Sequence, residues 1–254
     1  MGAVGRFRLT VVAILGALFL LAGCGEGAVP EVPILSAAES LEREAEALER
    51  AQLEPREVAA DTAIFAGGCF WCMEPPFDRI DGVISTTSGF TGGHVDNPSY
   101  DDVTRGGTGH TEAVKVVFDP ERIGYEELLW VFWRNIDPLD AGGQFCDRGA
   151  HYRPGVFYLH AEQEALALAS RRELDESGRF DRPVVAEVTE AGPFWPAEEY
   201  HQGFYLKNPE HYQRYRTGCR RDQRLEELWG AEAGGYLRSG DTALSPRMGM
   251  DLRN

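Results

Sequence analysis

Gly67-Gly68-Cys69-Phe70-Trp71-Cys72-Met73-Glu74 is the stretch on which the reading of this chain turns. It follows Thr62-Ala63-Ile64-Phe65-Ala66, a run that reads as a buried strand, and it precedes Phe77 and Ile80, which read as one face of a helix. A cysteine that leaves a strand through Gly-Gly and enters a helix meets free N–H groups and the positive end of the helix dipole. Both favour thiolate, the nucleophilic form. The glycines permit a tight turn that leaves the sulfur uncovered. Phe70 and Trp71 would wall an apolar pocket beside it. The same residues also suit a structural cysteine among core aromatics, because free cysteine is commonly buried. Pro75 and Pro76 remove N–H groups from the second turn, so the spacing predicts an irregular or short first turn.

Outward from this stretch the pattern is that of an α+β domain over residues 61–230. Val83–Phe90 reads as a strand. A short helix opens at Asn97-Pro98-Ser99-Tyr100 with Ser99 as its cap. Thr111–Phe118 alternates and reads as a central strand. Tyr125–Ile136 carries Leu128, Leu129, Phe132 and Trp133 on one side of a helix, stopped by Asp137-Pro138. Gly155–His160, Glu162–Ser177 and Val184–Thr189 read as strand, helix and strand, with a last helix near Gln223–Trp229. Strands separated by helices imply a single mixed-sheet domain of split βαβ, ferredoxin-like type, with helices packed on the sheet. The tail 231–254 is expected to be loose.

The N-terminus has a different composition. Arg6 and Arg8 precede an apolar core from Leu9 to Ala22, the layout of a secretory signal in residues 1–23. Leu21-Ala22-Gly23-Cys24 resembles a bacterial lipobox, which implies lipidation of Cys24 and a chain anchored to, rather than spanning, a membrane. Gly25 after the cysteine favours the outer membrane over the inner, so the expected location is a periplasm-facing lipoprotein of the cell envelope. Residues 24–60, with Pro30, Pro33 and Pro55 and a Glu/Ala/Leu-rich run over 37–52, read as an acidic linker. The net charge of −16 argues against nucleic-acid binding, which needs a basic surface. The five cysteines, at 24, 69, 72, 146 and 219, are too scattered for a disulfide scaffold.

Several residues invite chemistry. Glu112, on the central strand beside Ala113 and Val114, would become a proton donor if it pointed into a pocket, since burial raises a carboxyl pKa. The alternation pattern equally allows it to face solvent. Tyr100, Tyr152 and Asp147 sit in turn-rich segments where polar groups either line a site or simply make the turn. The histidines show no ligand-like pairing, and no metal site is expected. A zinc site using Cys69 and Cys72 would lack a second paired motif.

Five stretches in order resemble the peptide methionine-(S)-sulfoxide reductase family: Gly67–Trp71; Gly89-Phe90-Thr91-Gly92-Gly93; Asn97–Tyr100; Gly109-His110-Thr111-Glu112-Ala113-Val114; and Asp147–Arg153. The resemblance spans about residues 62–209. It implies reduction of methionine-(S)-sulfoxide in proteins, peptides or free form, as protein repair. Cys69 would attack the sulfur and become a sulfenic acid. Glu112 would protonate the oxygen with help from Tyr100 and Tyr152, Asp147 would support the polar side, and Phe70 and Trp71 would hold the methyl group. A resolving cysteine would form an intramolecular disulfide. Cys219 ranks first, in a segment able to swing in, with Cys72 and Cys146 as alternatives. No cofactor is implied; electrons would come from a thioredoxin-like protein or another dithiol. Oxidised proteins are the expected partners, and a monomer is expected. The competing enzyme reading is a Cys69/Cys72 thiol-disulfide oxidoreductase of the envelope, and a non-enzymatic reading is an anchored binding protein.

Overall fold

The computed structural model describes residues 36–53 and 60–235. The expected signal segment, Cys24, much of the linker and the tail beyond residue 235 lie outside the described residues.

In chain order the elements are α1 (Ala37–Leu53), β1 (Asp61–Ala66), α2 (Phe70–Asp78), β2 (Val83–Thr91), α3 (Tyr100–Arg105), β3 (Thr111–Phe118), α4 (Tyr125–Arg134), β4 (Gly143–Gln144), β5 (Asp147–Arg148), β6 (Gly155–Tyr158), α5 (Ala161–Glu176), β7 (Glu187–Glu190), β8 (Trp195–Pro196), α6 (Phe204–Lys207), α7 (Pro209–Gly218) and α8 (Arg221–Trp229). Six strands form one sheet in the order β7-β6-β1-β3-β2-β8. β3 lies between β1 and β2 and is antiparallel to both, so β1-α2-β2 is the split unit expected from the sequence. β6 is antiparallel to β1 on its other side, and β7 adds a parallel edge. The domain is therefore α+β with a mixed sheet.

The helices cover one face. Phe65 of β1 stacks on Phe77 of α2 and Phe132 of α4, each at 5.1 Å between ring centres. Leu128, Leu129 and Trp133 of α4 are fully or almost fully buried in the same cluster. Each such side chain contributes roughly 1.5–3 kcal/mol on burial, so this face is the main source of stability. The opposite face buries a smaller set, Ile64, Ala66, Ala113 and Phe157, beneath Phe194.

Three segments differ from the sequence reading. Residues 37–52, expected to act as a spacer, lie in α1, which runs against α5: Ala47 is fully buried, and Arg43 pairs with Glu164 at 3.0 Å. The strand expected over Val184–Thr189 is confined to Glu187–Glu190. The Val185 amide bonds the Pro138 carbonyl instead of a neighbouring strand. The polar, aromatic stretch after Pro196 carries α6 and α7, whose weak periodicity hides them in the sequence.

Candidate active site

The site is built at the end of β1. Gly68 turns the chain with φ +78°, and a Cβ on Gly67 would come within 2.5 Å of Met73 Sδ and 2.8 Å of Ile136. Both glycines are therefore required, one by its backbone conformation and one by close packing. Cys69 then stands at the N-cap of α2. The first turn is tightened, with the Cys72 amide bonding the Cys69 carbonyl at 3.0 Å, which matches the irregular start expected from Pro75 and Pro76.

Glu112 reaches this helix start from β3. It is 1% exposed, so the solvent-facing alternative is excluded. Its Oε2 accepts the Phe70 amide at 3.0 Å, occupying one of the free N–H groups of the helix N-terminus. Burial drives its pKa well above the ordinary carboxylate value, and the charges of Asp147 and Cys72 push the same way. The Phe70 N–H opposes them without prevailing. Burial thus biases Glu112 toward the protonated form that can donate.

Tyr100 and Tyr152 converge on the same point. Ser99 and Asp102 form a capping box that starts α3 at Tyr100. Tyr152 lies in a 3-10 turn, Ala150–Tyr152, whose backbone is held to β3 by the Thr111 hydroxyl, within 3.3 Å of the His151 carbonyl and 3.1 Å of that of Arg153. Tyr152 and Glu112 are both electrostatic neighbours of the Tyr100 phenol. Burial and the neighbouring Glu112 raise Tyr100 to about 12 and push Tyr152 up as well, so both hydroxyls keep their protons to donate.

Asp147, on the short β4–β5 hairpin, accepts the Tyr215 hydroxyl at 2.5 Å. Tyr215 and the Cys69 thiol share one electrostatic neighbourhood. Burial raises the Asp147 carboxyl, while Tyr215 and Arg221 pull it back. Sequence reasoning missed Tyr215. It sits in α7, where nothing in the spacing marks one tyrosine among several.

The sulfur chemistry differs from the sequence expectation. Cys69 is 6% exposed and its thiol is held up, first by burial, then by its bond to Cys72 and by the charges of Cys72 and Glu112. Cys72 is pulled down to about 6, chiefly because it accepts the Cys69 S–H, with Arg221 and Arg216 adding to the effect. The two thiols titrate as a pair, with the downward push falling on Cys72. Glu112 occupies the Phe70 amide at the helix start, and the Cys69 sulfur is buried rather than uncovered.

Arg221 is the other residue that the sequence did not flag. It is 1% exposed and donates to the carbonyls of Gly67 at 3.0 Å and Asn135 at 2.7 Å, bracing the glycine turn from behind. Cys146 and Cys219 are joined in a disulfide. Cys146 is exposed, Cys219 partly so, whereas Cys69 and Cys72 are free and buried. Cys219, ranked first among the resolving cysteines, is thus bonded to Cys146. Among the described residues, one set of potential metal ligands occurs, Cys146, Asp147 and Cys219, and its two sulfurs are bonded to each other.

An aromatic wall completes the site. Phe70 packs against Phe90, Tyr100 and His201, with ring centres 5.0–6.4 Å apart. Trp71 is half-buried and stacks on Phe204 at 3.7 Å with 6° between planes. Every residue expected at the catalytic centre is therefore brought together, with Tyr215 and His201 added.

A cysteine paired with a second thiol, facing a neutral buried acid and two phenols beside an aromatic wall, defines a thiol enzyme that acts on an acceptor needing protons. The family model for peptide methionine sulfoxide reductase matches residues 61–233, and the chain belongs to that family. It is 54% identical over 172 residues to the peptide methionine sulfoxide reductase MsrA of Bacillus subtilis, covering 68% of this chain and 97% of that one. It is 56% identical over 175 residues to the protein of the same name from Ligilactobacillus salivarius, covering 69% and 95%. Among solved structures it is similar to Mxr1 from Saccharomyces cerevisiae in reduced form, with a TM-score of 0.55, 26% identity and coverage of 62% and 90%. It is also similar to methionine sulfoxide reductase A of Corynebacterium diphtheriae, with a TM-score of 0.54, 30% identity and coverage of 60% and 77%.

Proposed function

We propose that the protein reduces methionine-(S)-sulfoxide, free, in peptides and in oxidised proteins, to methionine, and so repairs oxidised protein. The observation that carries this reading is the Glu112 carboxyl, kept neutral by burial and fixed on the Phe70 amide next to Cys69. A sulfoxide oxygen gains negative charge as its bond to sulfur breaks, and donors placed in advance stabilise that charge.

The reaction balances on these groups. The Cys69 sulfur attacks the sulfoxide sulfur as its proton passes to Cys72. Glu112 protonates the oxygen, with Tyr100 and Tyr152 donating to it. The S–O bond breaks, the thioether leaves with its electron pair as methionine, and the hydroxyl ends on Cys69 as sulfenic acid. Phe70 and Trp71 hold the substrate methyl group. Asp147 keeps Tyr215 aimed at the reacting sulfur. Preference for the S epimer rests on the family resemblance.

The sulfenic acid then condenses with a thiol, releasing water. Cys72 supports this role best: it is a free thiol on the same helix start as Cys69, whereas Cys219 is tied to Cys146. The Cys146–Cys219 pair is the more exposed of the two and so the more open to an external dithiol. A thioredoxin-like protein therefore reduces the outer pair, which passes its electrons to the Cys69–Cys72 disulfide. The signal-like N-terminus and Cys24 support a lipoprotein at the periplasmic side of the outer membrane, where oxidants reach exposed methionines.

Incubation with a methionine sulfoxide peptide and dithiothreitol tests the activity. Methionine peptide is expected, and none would count against the reading. Cys146→Ser is expected to keep dithiothreitol-driven turnover and to lose turnover driven by a thioredoxin-like protein. Loss of both would move Cys146 out of the relay.

A further inference from the structure

Residues 201–203 form a strap tied at three points. His201 Nδ1 accepts the Trp71 indole N–H at 3.0 Å. Gln202 accepts from the Ser88 amide and donates to the Ser88 carbonyl, both at 2.8 Å. The Gly203 amide donates to the two carboxyl oxygens of Glu74, each at 3.0 Å. Two of the three ties therefore end on α2, the helix that carries Cys69 at its cap.

The first tie fixes a tautomer. An indole N–H can only donate, so Nδ1 must be unprotonated. Burial depresses His201 to about 4, and a ring that is neutral with a bare Nδ1 carries its hydrogen on Nε2. That Nε2 is buried and has no hydrogen-bond partner. A buried donor left unsatisfied is unfavourable, and an apolar side chain would avoid it. What the histidine adds is the acceptor aimed at Trp71. Its ring also lies 4.4 Å from that of Tyr100 and 5.0 Å from that of Phe70, so one side chain touches each aromatic face of the site. Phe204, one residue past the strap, clamps the indole by stacking.

We infer that His201, held as the Nε2–H tautomer, is a positioning residue that locks the Trp71 indole and so sets how the site grips the methyl group of the sulfoxide. This rests on the proposed sulfoxide reduction. His201 makes no bond to Cys69 or Glu112, the groups that carry out bond making and breaking. Its loss therefore weakens binding in the ground state and the transition state alike, which raises KM and leaves kcat nearly unchanged.

Two measurements on the whole protein test the inference. Long-range 1H–15N NMR with labelled histidine reads the tautomer independently of turnover: an Nε2–H ring is expected, together with a slowly exchanging Trp71 indole N–H. A ring protonated on Nδ1 overturns the inference. Kinetics on a methionine sulfoxide peptide then compare His201→Asn, whose amide oxygen falls near the Nδ1 position, with His201→Leu, which has no acceptor. His201→Leu is expected to raise KM roughly 5- to 10-fold, and His201→Asn to keep KM within about 2-fold of wild type. Equal KM values for the two variants, or a loss confined to kcat, overturn it. Should His201→Leu not fold, His201→Gln replaces it, because its amide reaches the Nε2 position and the same KM rise is expected. A wild-type protein that releases no methionine would refute the functional reading, while the NMR result would still decide the tautomer.

Discussion

The amide of Phe70 and the carboxyl of Glu112 meet at 3.0 Å, residues from two elements joined in the core of the site. The contact binds the start of α2 to the middle of the sheet. It also occupies one of the free N–H groups at the positive end of the helix dipole. Nucleophile and proton donor are thus linked through one backbone group.

Glu112→Gln keeps an acceptor for Phe70 and removes the transferable proton. Sulfoxide reduction should fall by roughly 100- to 10,000-fold, the usual range for a lost general acid. Alkylation of Cys69 should persist, because neither the protonated carboxyl of Glu112 nor the amide of the variant places a charge beside the thiol. Since Glu112 works in its protonated form with a raised pKa, wild-type activity should decline as pH rises through that pKa, and the variant should lack this limb. Steady-state rates across pH, with alkylation followed by mass spectrometry, check both outcomes.

The charge assignment on the two buried thiols can be read by ultraviolet thiolate absorbance. A transition near pH 6 is expected, lost in Cys72→Ser and retained in Cys69→Ser, whose hydroxyl still donates. Arg221→Gln should move it upward by weakening a favourable charge. Retention in Cys72→Ser with loss in Cys69→Ser would place the anion on Cys69 instead.

Glu74 is 2% exposed, and burial raises its carboxyl to about 7 although Gly203 donates to it. In the unfolded chain it ionises near its ordinary value, so between that value and about 7 the folded state holds the extra proton. Its contribution to stability is complete at acid pH and is lost as pH rises through about 7, a change of about 3 kcal/mol. Glu74→Gln should remove this slope from urea denaturation midpoints measured over that range.

Gly68→Ala places a Cβ 2.5 Å from Gln144 Cβ at φ +78°. The strained backbone alone costs about 1–3 kcal/mol, and the clash adds to it. Gly106→Ala, at φ +85° with nothing within 4 Å, carries only the backbone cost. Thermal denaturation should therefore rank Gly68→Ala below Gly106→Ala, and both below wild type. Equal midpoints for the two variants would show that the contact with Gln144 relaxes freely.

What the sequence determined by itself was local. The apolar run before Gly67, the alternation in β3, the cap at Ser99 and the stripe on α4 each follow from spacing, and together they specify the split α+β sheet. The order of motifs placed Cys69, Glu112, Tyr100 and Tyr152 at one site. Only the tertiary structure decided where the charge and the bonds go. Cys69 is buried, and Cys72 is pushed toward its anionic form by Cys69 and by Arg221 and Arg216, which arrive from α8 and α7, while Glu112 takes the Phe70 amide. Cys219 is joined to Cys146 across 73 residues, and His201 meets Trp71 across 130. The side chains that meet at those contacts are far apart in the chain, and no periodicity records which distant partner a residue will face. Such contacts exist only once the sheet and helices have packed.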